Sequence, residues 1–292
     1  RPVIDPPGWA FIDTVPGEYS TYFLVDWFME EMWKKSEPPK WAFCTIDTPM
    51  GKDPYFCLED LAAEGKIELA GCWLTPYTAL DLLTEIATIK AKKPDVFLFN
   101  HEGYALPTAI RDSYRTGMDE VAVRLMGSGA CASPKFVYAG GKEASNGLYG
   151  LGHWSEPWET DRPAIKATCA ALAKYYPKIK PADYTNFMVT YWFDCQVIEY
   201  AIKNALDKMP PDKITGRVLY DEICNLSVPA EVHGGTCGGP IDYHAWEDGC
   251  RLGPRGFRIM RIEDLKYHPV SDWVMGLDRT GKEWQWIKGS PD

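Results

Sequence analysis

The stretch "KPDVFLFNHEGYALP", residues 93–107, decides the fold class of this chain. Its residues 95–99 form a short apolar run that is entered through Lys-Pro, which predicts a buried β-strand. A helix is predicted at 105–115 and ends at Gly117. Between strand and helix stand an asparagine, a histidine, a glutamate and a glycine, where a simple turn would suffice. This polar loop is therefore a catalytic pair, a ligand-binding lip, or a polar cap on a strand.

The segments around this stretch repeat the alternation of strand and helix. Strands are predicted at 41–47, 67–73 and 135–141 ("KFVYAGG"), and helices at 52–65 and 78–93. The second helix is expected to open with Thr78 and Asp81 in capping-box spacing. Such alternation indicates an α/β fold with a parallel sheet and right-handed crossovers.

The second half of the chain is mainly helical. After a candidate strand at 148–154, helices are predicted at 163–176, 184–207 and 214–225. Turns are expected in the glycine- and proline-rich segment 228–256, followed by strands at 257–263 and 268–275. An amphipathic helix is also predicted at 18–35, near the start of the chain. The helices after residue 160 have no sheet of their own to cover.

Candidate ligand-binding residues lie where ligands bind in open parallel sheets, beyond the carboxyl ends of the strands, at the point where strand order reverses. For a strand order of 2-1-3-4, this point is flanked by loops 47–51 and 100–104, with 139–142 beside them, whereas the end of the second strand at 74–77 is less favoured. The candidates in these loops are Met50, Asn100, His101, Glu102, Gly103, Tyr104, Gly141 and Lys142.

Two interpretations of the histidine and glutamate pair follow from their chemistry. Glu102 can accept a hydrogen bond from a ligand ammonium or amide, or it can be a solvated carboxylate near a helix N-terminus. A catalytic pair of His101 and Glu102 would need an activated nucleophile, and the sequence places none nearby. We therefore predict no catalytic residue, no metal site and no cofactor.

Composition narrows the possible partners. The net charge of −10 and the pI near 5.1 argue against a nucleic-acid partner, which would need a basic face. No segment approaches the roughly 18 apolar residues of a membrane span. The opening "RPVIDPPGWAF" lacks the pattern of a signal peptide. The nine cysteines contain no C-x-x-C pair, and Cys237 and Cys250 flank a loop-rich stretch as candidates for a disulfide.

An ordered set of segments resembles a known family. These are "PPKWAFCTIDTPMGKD", "TPYTALDLLTEIATIKAKKPDVFLF", "GLYGLGHWSEPW", "YTNFMVTYWFDCQVIEYAIKNA" and the closing "GGTCGGPIDYHAWEDGCRLGPRGFRIMRI" with "HPVSDWV". Together they resemble the type I periplasmic binding proteins, the solute receptors of branched-chain amino acid and amide ABC transporters. Met50 stands where an aromatic residue often precedes the glycine in that family.

The resemblance implies two doubly wound, Rossmann-like lobes joined by a hinge, with ligand trapped between them. Residues 1–17 would be the end of the N-terminal lobe and the hinge crossover, and 18–150 a complete C-terminal lobe. Residues 151–255 would be the return segment, mainly helices of the N-terminal lobe, and 256–292 a closing strand pair and tail. Trp154 and Trp158 are candidates for the hinge.

No segment of this sequence resembles the first part of the family's N-terminal lobe. We therefore expect a fragment, a processed product, or half of a split protein that a second chain completes.

The same resemblance implies a function. The chain would be the substrate-binding component of an ABC importer, in the periplasm or otherwise outside the cytoplasm. It would bind an amino acid, amide or small organic acid by hinge closure and meet a membrane permease. The alternatives are a ligand-sensing domain of a receptor or regulator, and an α/β enzyme that uses His101 and Glu102.

Overall fold

The computed structural model describes residue 11 and residues 17–127, 134–243, 256–275 and 285–286. The chain divides into two compact units. Unit 1 comprises Arg1–Val15, His153–Phe257 and Asp272–Asp292, and unit 2 comprises Pro16–Gly152 and Arg258–Ser271. The segment expected to form the closing strand pair is thus divided between the two units.

Unit 2 alternates strands and helices. Its helices are α1 (Gly17–Trp27, continued by a π-helical segment Phe28–Met32), α2 (Pro49–Ala63), α3 (Leu83–Ala91), α4 (Ala105–Arg115), a 3-10 turn (Met118–Glu120), α5 (Pro134–Ala139) and α6 (Lys142–Ser145). Its strands are β1 (Lys40–Ile46), β2 (Glu68–Thr75), β3 (Val96–Asn100), β4 (Val123–Met126) and β5 (Tyr149–Gly152). The predicted strands at 41–47, 67–73 and 95–99 are therefore confirmed.

The sheet of unit 2 is mainly parallel and runs in the order β2-β1-β3-β4-β5, and residues 258–261 of a later strand pair antiparallel with β5. The expected reversal of strand order next to β1 is therefore confirmed. The central strands are buried along most of their length, since Phe43, Phe97 and Phe99 are fully inaccessible to solvent. This burial on both faces explains why β1 and β3 are continuous apolar runs instead of alternating ones.

The fourth strand was assigned wrongly from the sequence. Residues 135–141 form no strand, because α5 occupies Pro134–Ala139 and turns Val137 into the core. The fourth strand is β4, whose apolar run is interrupted by Arg124. That guanidinium is buried because Nη1 donates to Ala144 O at 2.8 Å and to Ser113 Oγ at 3.2 Å. Because a charged residue interrupts the apolar pattern, the sequence alone does not predict this buried strand.

The predicted start of the helix at 78–93 is also wrong. Helix α3 begins at Leu83, and its entry is fixed by two carboxylates instead of a capping box at Thr78. Asp112 Oδ2 accepts a hydrogen bond from Leu82 N at 2.9 Å, and Asp81 Oδ1 accepts one from Leu83 N at 3.0 Å. Asp112 lies 30 residues farther along the chain, so local spacing could not reveal it.

Unit 1 contains the long helices predicted for the second half of the chain. They are α7 (Pro163–Tyr175), α8 (Asn186–Leu206) and α9 (Gly216–Cys224), with a short α10 (Ala230–His233). The described strands are β6 (Ser227–Val228), β7 (Ile241–Asp242), β10 (Val274–Met275) and β11 (Gln285–Trp286), together with the first residues of β8 (Gly256–Glu263). The three predicted helices are thus confirmed.

The predicted strand at 268–275 is split into two. Strand β9 (Lys266–Pro269) pairs with β8, and Pro269 ends it. Ser271 then turns back, since its Oγ accepts a hydrogen bond from Ile259 N at 2.8 Å. Strand β10 follows as a separate element.

Candidate ligand-binding site

The candidate site lies at the carboxyl ends of β1, β2 and β3. Strand β1 stands between the other two, so the loops that leave β1 and β3 diverge there. Thr48 caps α2 immediately after β1, because its Oγ1 accepts a hydrogen bond from Gly51 N at 3.0 Å. The cap fixes the first turn of α2, which carries Met50.

Buried hydroxyl groups join the three strand ends. Thr45 Oγ1 lies 2.8 Å from Gly51 O and 2.9 Å from Asn100 O, so its one proton is shared between the first turn of α2 and the end of β3. Thr75 Oγ1 donates to Thr45 O at 3.1 Å and lies 2.9 Å from Nε2 of His101. The main-chain ends of all three strands are thereby held together, and the polar groups involved are neutral.

His101 is a positioning residue in this arrangement. Because the proton of the Thr75 hydroxyl goes to Thr45 O, the hydroxyl accepts from Nε2–H and leaves Nδ1 as a bare acceptor. Within the described residues, Nδ1 has no hydrogen-bond partner. Complete burial lowers the pKa of His101 from 6.5 to about 3, so the imidazole is neutral at pH 7.

Two glycines, Gly127 and Gly103, allow neighbouring side chains to pack closely at the site. A Cβ atom on Gly127 would stand 2.4 Å from Oδ1 of Asn100, so only glycine lets this side chain lie against the end of β4. Gly103 has a φ of +55°, and a Cβ atom there would stand 2.6 Å from the Tyr77 hydroxyl oxygen. Within the described residues, Oδ1 of Asn100 is buried without a partner.

Several side chains at this edge of the sheet are exposed to solvent and could contact a ligand. Met50, Tyr77 and Tyr104 are 52%, 46% and 71% exposed, respectively. Glu102 is half-buried, and desolvation raises the pKa of its carboxyl group. In the described part of the chain, no hydrogen bond or ion pair joins His101 to Glu102, so the geometry provides no catalytic pair.

Sequence reasoning missed two contributors to this site. It ranked the loop after β2 low, yet Tyr77 of that loop meets Gly103, and Thr75 is the partner of His101. The only signal in the sequence was a polar residue that ends an apolar strand.

Gly141 and Lys142 are not brought to the other candidate residues. Helix α6 precedes β5, which runs parallel to β4, so both residues lie at the opposite, amino edge of the sheet. The Nζ of Lys142 forms an ion pair with Asp264 at 2.8 Å. The expectation that they flank the site followed from the wrongly assigned strand at 135–141.

A cleft of about 710 Å³ also lies at this amino edge, lined by Trp33, Asp95, Arg124 and Tyr149 among others. It is therefore on the edge opposite the loops described above. Its lining also includes charged side chains such as Lys35, Asp119 and Glu120.

The remaining candidates lie in unit 1. Trp154 is buried, with its ring centroid 4.7 Å from that of Phe193, so it packs as core, and Trp158 is 41% exposed. Cys237 is buried, which raises the pKa of its thiol to about 12. Cys237 is a free cysteine in this structure, which contradicts the predicted disulfide; its expected partner Cys250 lies outside the described residues. The described residues contain no cluster suited to a metal ion, and none of their helices is long and apolar enough to cross a membrane.

Comparison with solved structures shows the fold. The structure of a branched-chain amino acid ABC transporter protein from Thermus thermophilus with bound valine matches with a TM-score of 0.77 at 17% identity, covering 93% of this chain and 69% of that one. A fatty acid ABC transporter substrate-binding protein from Thermomonospora curvata gives 0.71 at 16% identity, covering 89% and 63%. A substrate-binding protein of an ABC transporter from Aeropyrum pernix gives 0.72 at 14% identity, covering 91% and 66%.

The chain thus spans about two thirds of the length of these three proteins. A search of curated protein sequences gives no significant match. The family model described as "Periplasmic binding protein" matches residues 8–248. The chain therefore belongs to the type I periplasmic binding proteins, the family of the branched-chain amino acid ABC transporter receptors.

Proposed function

We propose that this chain is the substrate-binding component of an ABC importer and that unit 2 binds a small polar solute at its carboxyl-edge loops. The observation that carries the proposal is the buried bridge from Thr45 to Gly51 O and Asn100 O, with His101 bound to Thr75 beside it. Such a frame holds loops in place before ligand arrives, which reduces the cost of ordering them on binding.

The side chains above this frame support a solute that carries N–H donors. Glu102 offers a half-buried carboxylate acceptor, whereas the amide oxygen of Asn100 is buried beneath the loops. Met50 and Tyr104 add exposed apolar surface. An amino acid or amide satisfies both features, since it carries N–H donors next to a short apolar part. A small organic acid would use the apolar surface only.

Transport would require a solute-dependent change of state. A solute that binds one conformation more tightly shifts the equilibrium toward it, and a permease that recognises this conformation couples binding to import. We place this event outside the cytoplasm, as the family implies. The ligand-sensing domain of a receptor would bind the same solutes, and only binding to a permease distinguishes the importer component.

An enzyme is the less favoured alternative because of His101. A general base has to reach its substrate, and this imidazole is fully buried with Nε2 committed to Thr75. Its low pKa also keeps the imidazole neutral near pH 7, so it cannot act as a cationic general acid. Turnover that Glu102→Gln abolishes would reverse this assignment.

The test is titration calorimetry and thermal shift with a defined panel. The panel contains valine, leucine, isoleucine, acetamide, propionamide and short-chain fatty acids. We expect an amino acid or amide to bind, and Glu102→Gln to weaken it about 10- to 100-fold, because a hydrogen bond to a charged group contributes about 1.5–3 kcal/mol. Glu143→Gln, at an exposed glutamate on the amino edge, is the matched control. Equal losses in both variants, or fatty acids as the only ligands, would contradict the proposal.

A further inference from the structure

The cleft at the amino edge of the sheet contains a buried cation. Its volume is about 710 Å³, and all of its lining residues belong to unit 2. Arg124 is one of them and is only 4% exposed. Within the described residues, no carboxylate forms an ion pair with its guanidinium. A buried charge without a counter-charge is costly, so this arrangement favours an anion that comes from outside the chain.

The guanidinium of Arg124 has donors to spare. Nη1 donates to Ala144 O at 2.8 Å and to Ser113 Oγ at 3.2 Å, and Nη2 donates to Asn146 O at 3.3 Å. An arginine side chain has five N–H groups. One on Nε and one on Nη2 therefore have no acceptor in the part of the chain that the structure describes. The three bonds hold the group in place, and the two remaining donors match the two oxygens of a carboxylate.

An aromatic wall of the cleft is ordered without a ligand. The chain leaves α1 through the π-helical segment Phe28–Met32, and Trp33 N donates to Phe28 O at 2.9 Å. Such turns are frequent at functional sites. Trp33 Nε1 then donates to Glu37 O at 2.7 Å, which fixes the indole, and Tyr149 adds a second ring to the lining. The apolar part of a ligand can pack on these rings without a large ordering cost.

The acidic residues of the lining limit the charge of a ligand. Asp95 is compensated, because its carboxylate accepts from Lys40 N at 2.9 Å and from Lys35 Nζ at 3.5 Å. Asp119 and Glu120 are exposed members of the same lining. Their charges would repel a second negative charge on a ligand, which disfavours phosphates and dicarboxylates.

We propose that this cleft is a second binding site, which takes a small organic monocarboxylate with an apolar body. The carboxylate would bind the two spare donors of Arg124, and the body would pack on Trp33 and Tyr149. The ligand would supply the counter-charge that the chain lacks and would stabilise unit 2 by mass action. The cleft lies at the opposite edge of the sheet from the loop of Glu102, so the inference does not depend on the proposed solute binding.

The first experiment titrates the chain with benzoate as the probe and with benzamide, its neutral isostere. Heteronuclear NMR of the arginine Nε–H groups reads binding at Arg124 itself. We expect benzoate to shift the Arg124 signal with a Kd on the order of 1 mM, as suits a ligand of this size. Benzamide should bind at least about tenfold more weakly, because it carries no charge. Equal binding of the two, or no shift at about 20 mM benzoate, overturns the proposal.

The second experiment compares variants in the same titration. Trp33→Ala leaves the hydrogen bonds of Arg124 intact and should weaken benzoate about fivefold, because it removes apolar contact area. Phe56→Ala, at an exposed aromatic residue on α2 outside the lining, is the matched control and should change affinity less than about twofold. Arg124→Lys keeps the charge but loses the fork of donors, so it should weaken benzoate about tenfold or more. Equal effects of Trp33→Ala and Phe56→Ala would contradict the proposed site whether or not Arg124→Lys folds.

Pyrophosphate tests the chemical class of the ligand. We expect it to bind more weakly than benzoate, because Asp119 and Glu120 repel its additional charges. Tighter binding of pyrophosphate would refute the assignment to monocarboxylates. Benzoate is detected at the Arg124 signal and the solute through the effect of Glu102→Gln, so failure of this site and failure of the proposed function are told apart.

Discussion

The Thr75 hydroxyl oxygen and Nε2 of His101 lie 2.9 Å apart, beyond the end of the strand that separates their own strands. Thr75 ends β2 and His101 follows β3, and β1 lies between them. One hydrogen bond therefore couples the two outer strands of the group, while Thr75 also binds the carbonyl of Thr45 on the middle one. The candidate site thus has a buried polar support beneath its loops.

The first prediction concerns Thr75→Val. This change keeps the shape of the side chain and leaves Nε2–H of His101 buried without an acceptor. We expect a loss of about 1–3 kcal/mol in the free energy of unfolding, the usual cost of an unpaired buried polar group. Urea unfolding measures it, with an unchanged m-value. Thr88→Val, at an exposed helical threonine, is the control and should cost less than about 0.5 kcal/mol. Equal costs at the two positions would refute the assigned role.

The second prediction concerns acid stability. The pKa of His101 is 6.5 unfolded and about 3 folded, so between these values the unfolded chain binds more protons. Stability from this group is complete above pH 6.5 and falls as pH drops to about 3, by about 1.4 kcal/mol per pH unit. His101→Gln keeps a donor toward Thr75 and should show a shallower fall in urea unfolding between pH 6.5 and 4.

His153 provides the comparison for this pH dependence. Burial lowers the pKa of His153 to about 4, so its contribution ends about one pH unit above that of His101. His153→Gln should therefore reduce the slope above pH 4 and leave the slope between pH 4 and 3 unchanged. Identical profiles for His101→Gln and the unmodified chain would show that the imidazole is not buried in solution.

The third prediction separates backbone strain from a role in binding. Gly103 and Gly65 both have positive φ values, +55° and +74°, so alanine at either position should cost about 1–2 kcal/mol of stability. Only at Gly103 would the new Cβ atom meet a site residue, the Tyr77 hydroxyl. Solute affinity should therefore fall about tenfold in Gly103→Ala and stay unchanged in Gly65→Ala. Calorimetric titration with the solute that binds best measures both.

The fourth prediction tests Asp112, a fully buried carboxylate on α4. It accepts hydrogen bonds from Leu82 N at 2.9 Å and from Arg111 Nε at 2.8 Å. Asp112→Ala should cost about 3 kcal/mol or more, because it leaves the entry of α3 without its acceptor. Arg115→Ala removes only a 3.6 Å contact of an exposed side chain and should cost less than 1 kcal/mol. Thermal unfolding of both variants decides between these values.

The elements predicted correctly from the sequence are those with a regular pattern of buried apolar residues. Strands β1 and β3 are continuous apolar runs, and α8 has apolar residues at helical spacing on its buried face. The local sequence alone therefore predicts these three elements. Strand β4 was not predicted because it contains Arg124, whose hydrogen-bond acceptors lie 11 and 20 residues away in the sequence. Pattern reasoning takes no account of partners that only the folded chain supplies.

The place of the candidate loops in the fold was predicted in part for a similar reason. Strand order follows from topology rules, and these rules place the loops after β1 and β3 at the reversal point. The burial of His101 could not be predicted, because its partner Thr75 lies 26 residues earlier in the chain. Lys142 was misplaced because its position depended on a single strand assignment.

The hydroxyl of Thr45 shares its proton between two main-chain carbonyls, those of Gly51 in α2 and Asn100 at the end of β3. Position 51 must stay glycine, since a Cβ atom there would stand 2.3 Å from Ile46 O, but the side chains of Met50, Glu102 and Tyr104 take no part in these contacts. Natural selection can therefore exchange the solute-facing residues while the frame beneath them persists. New solute preferences can evolve on this sheet without a loss of stability that later substitutions would have to restore.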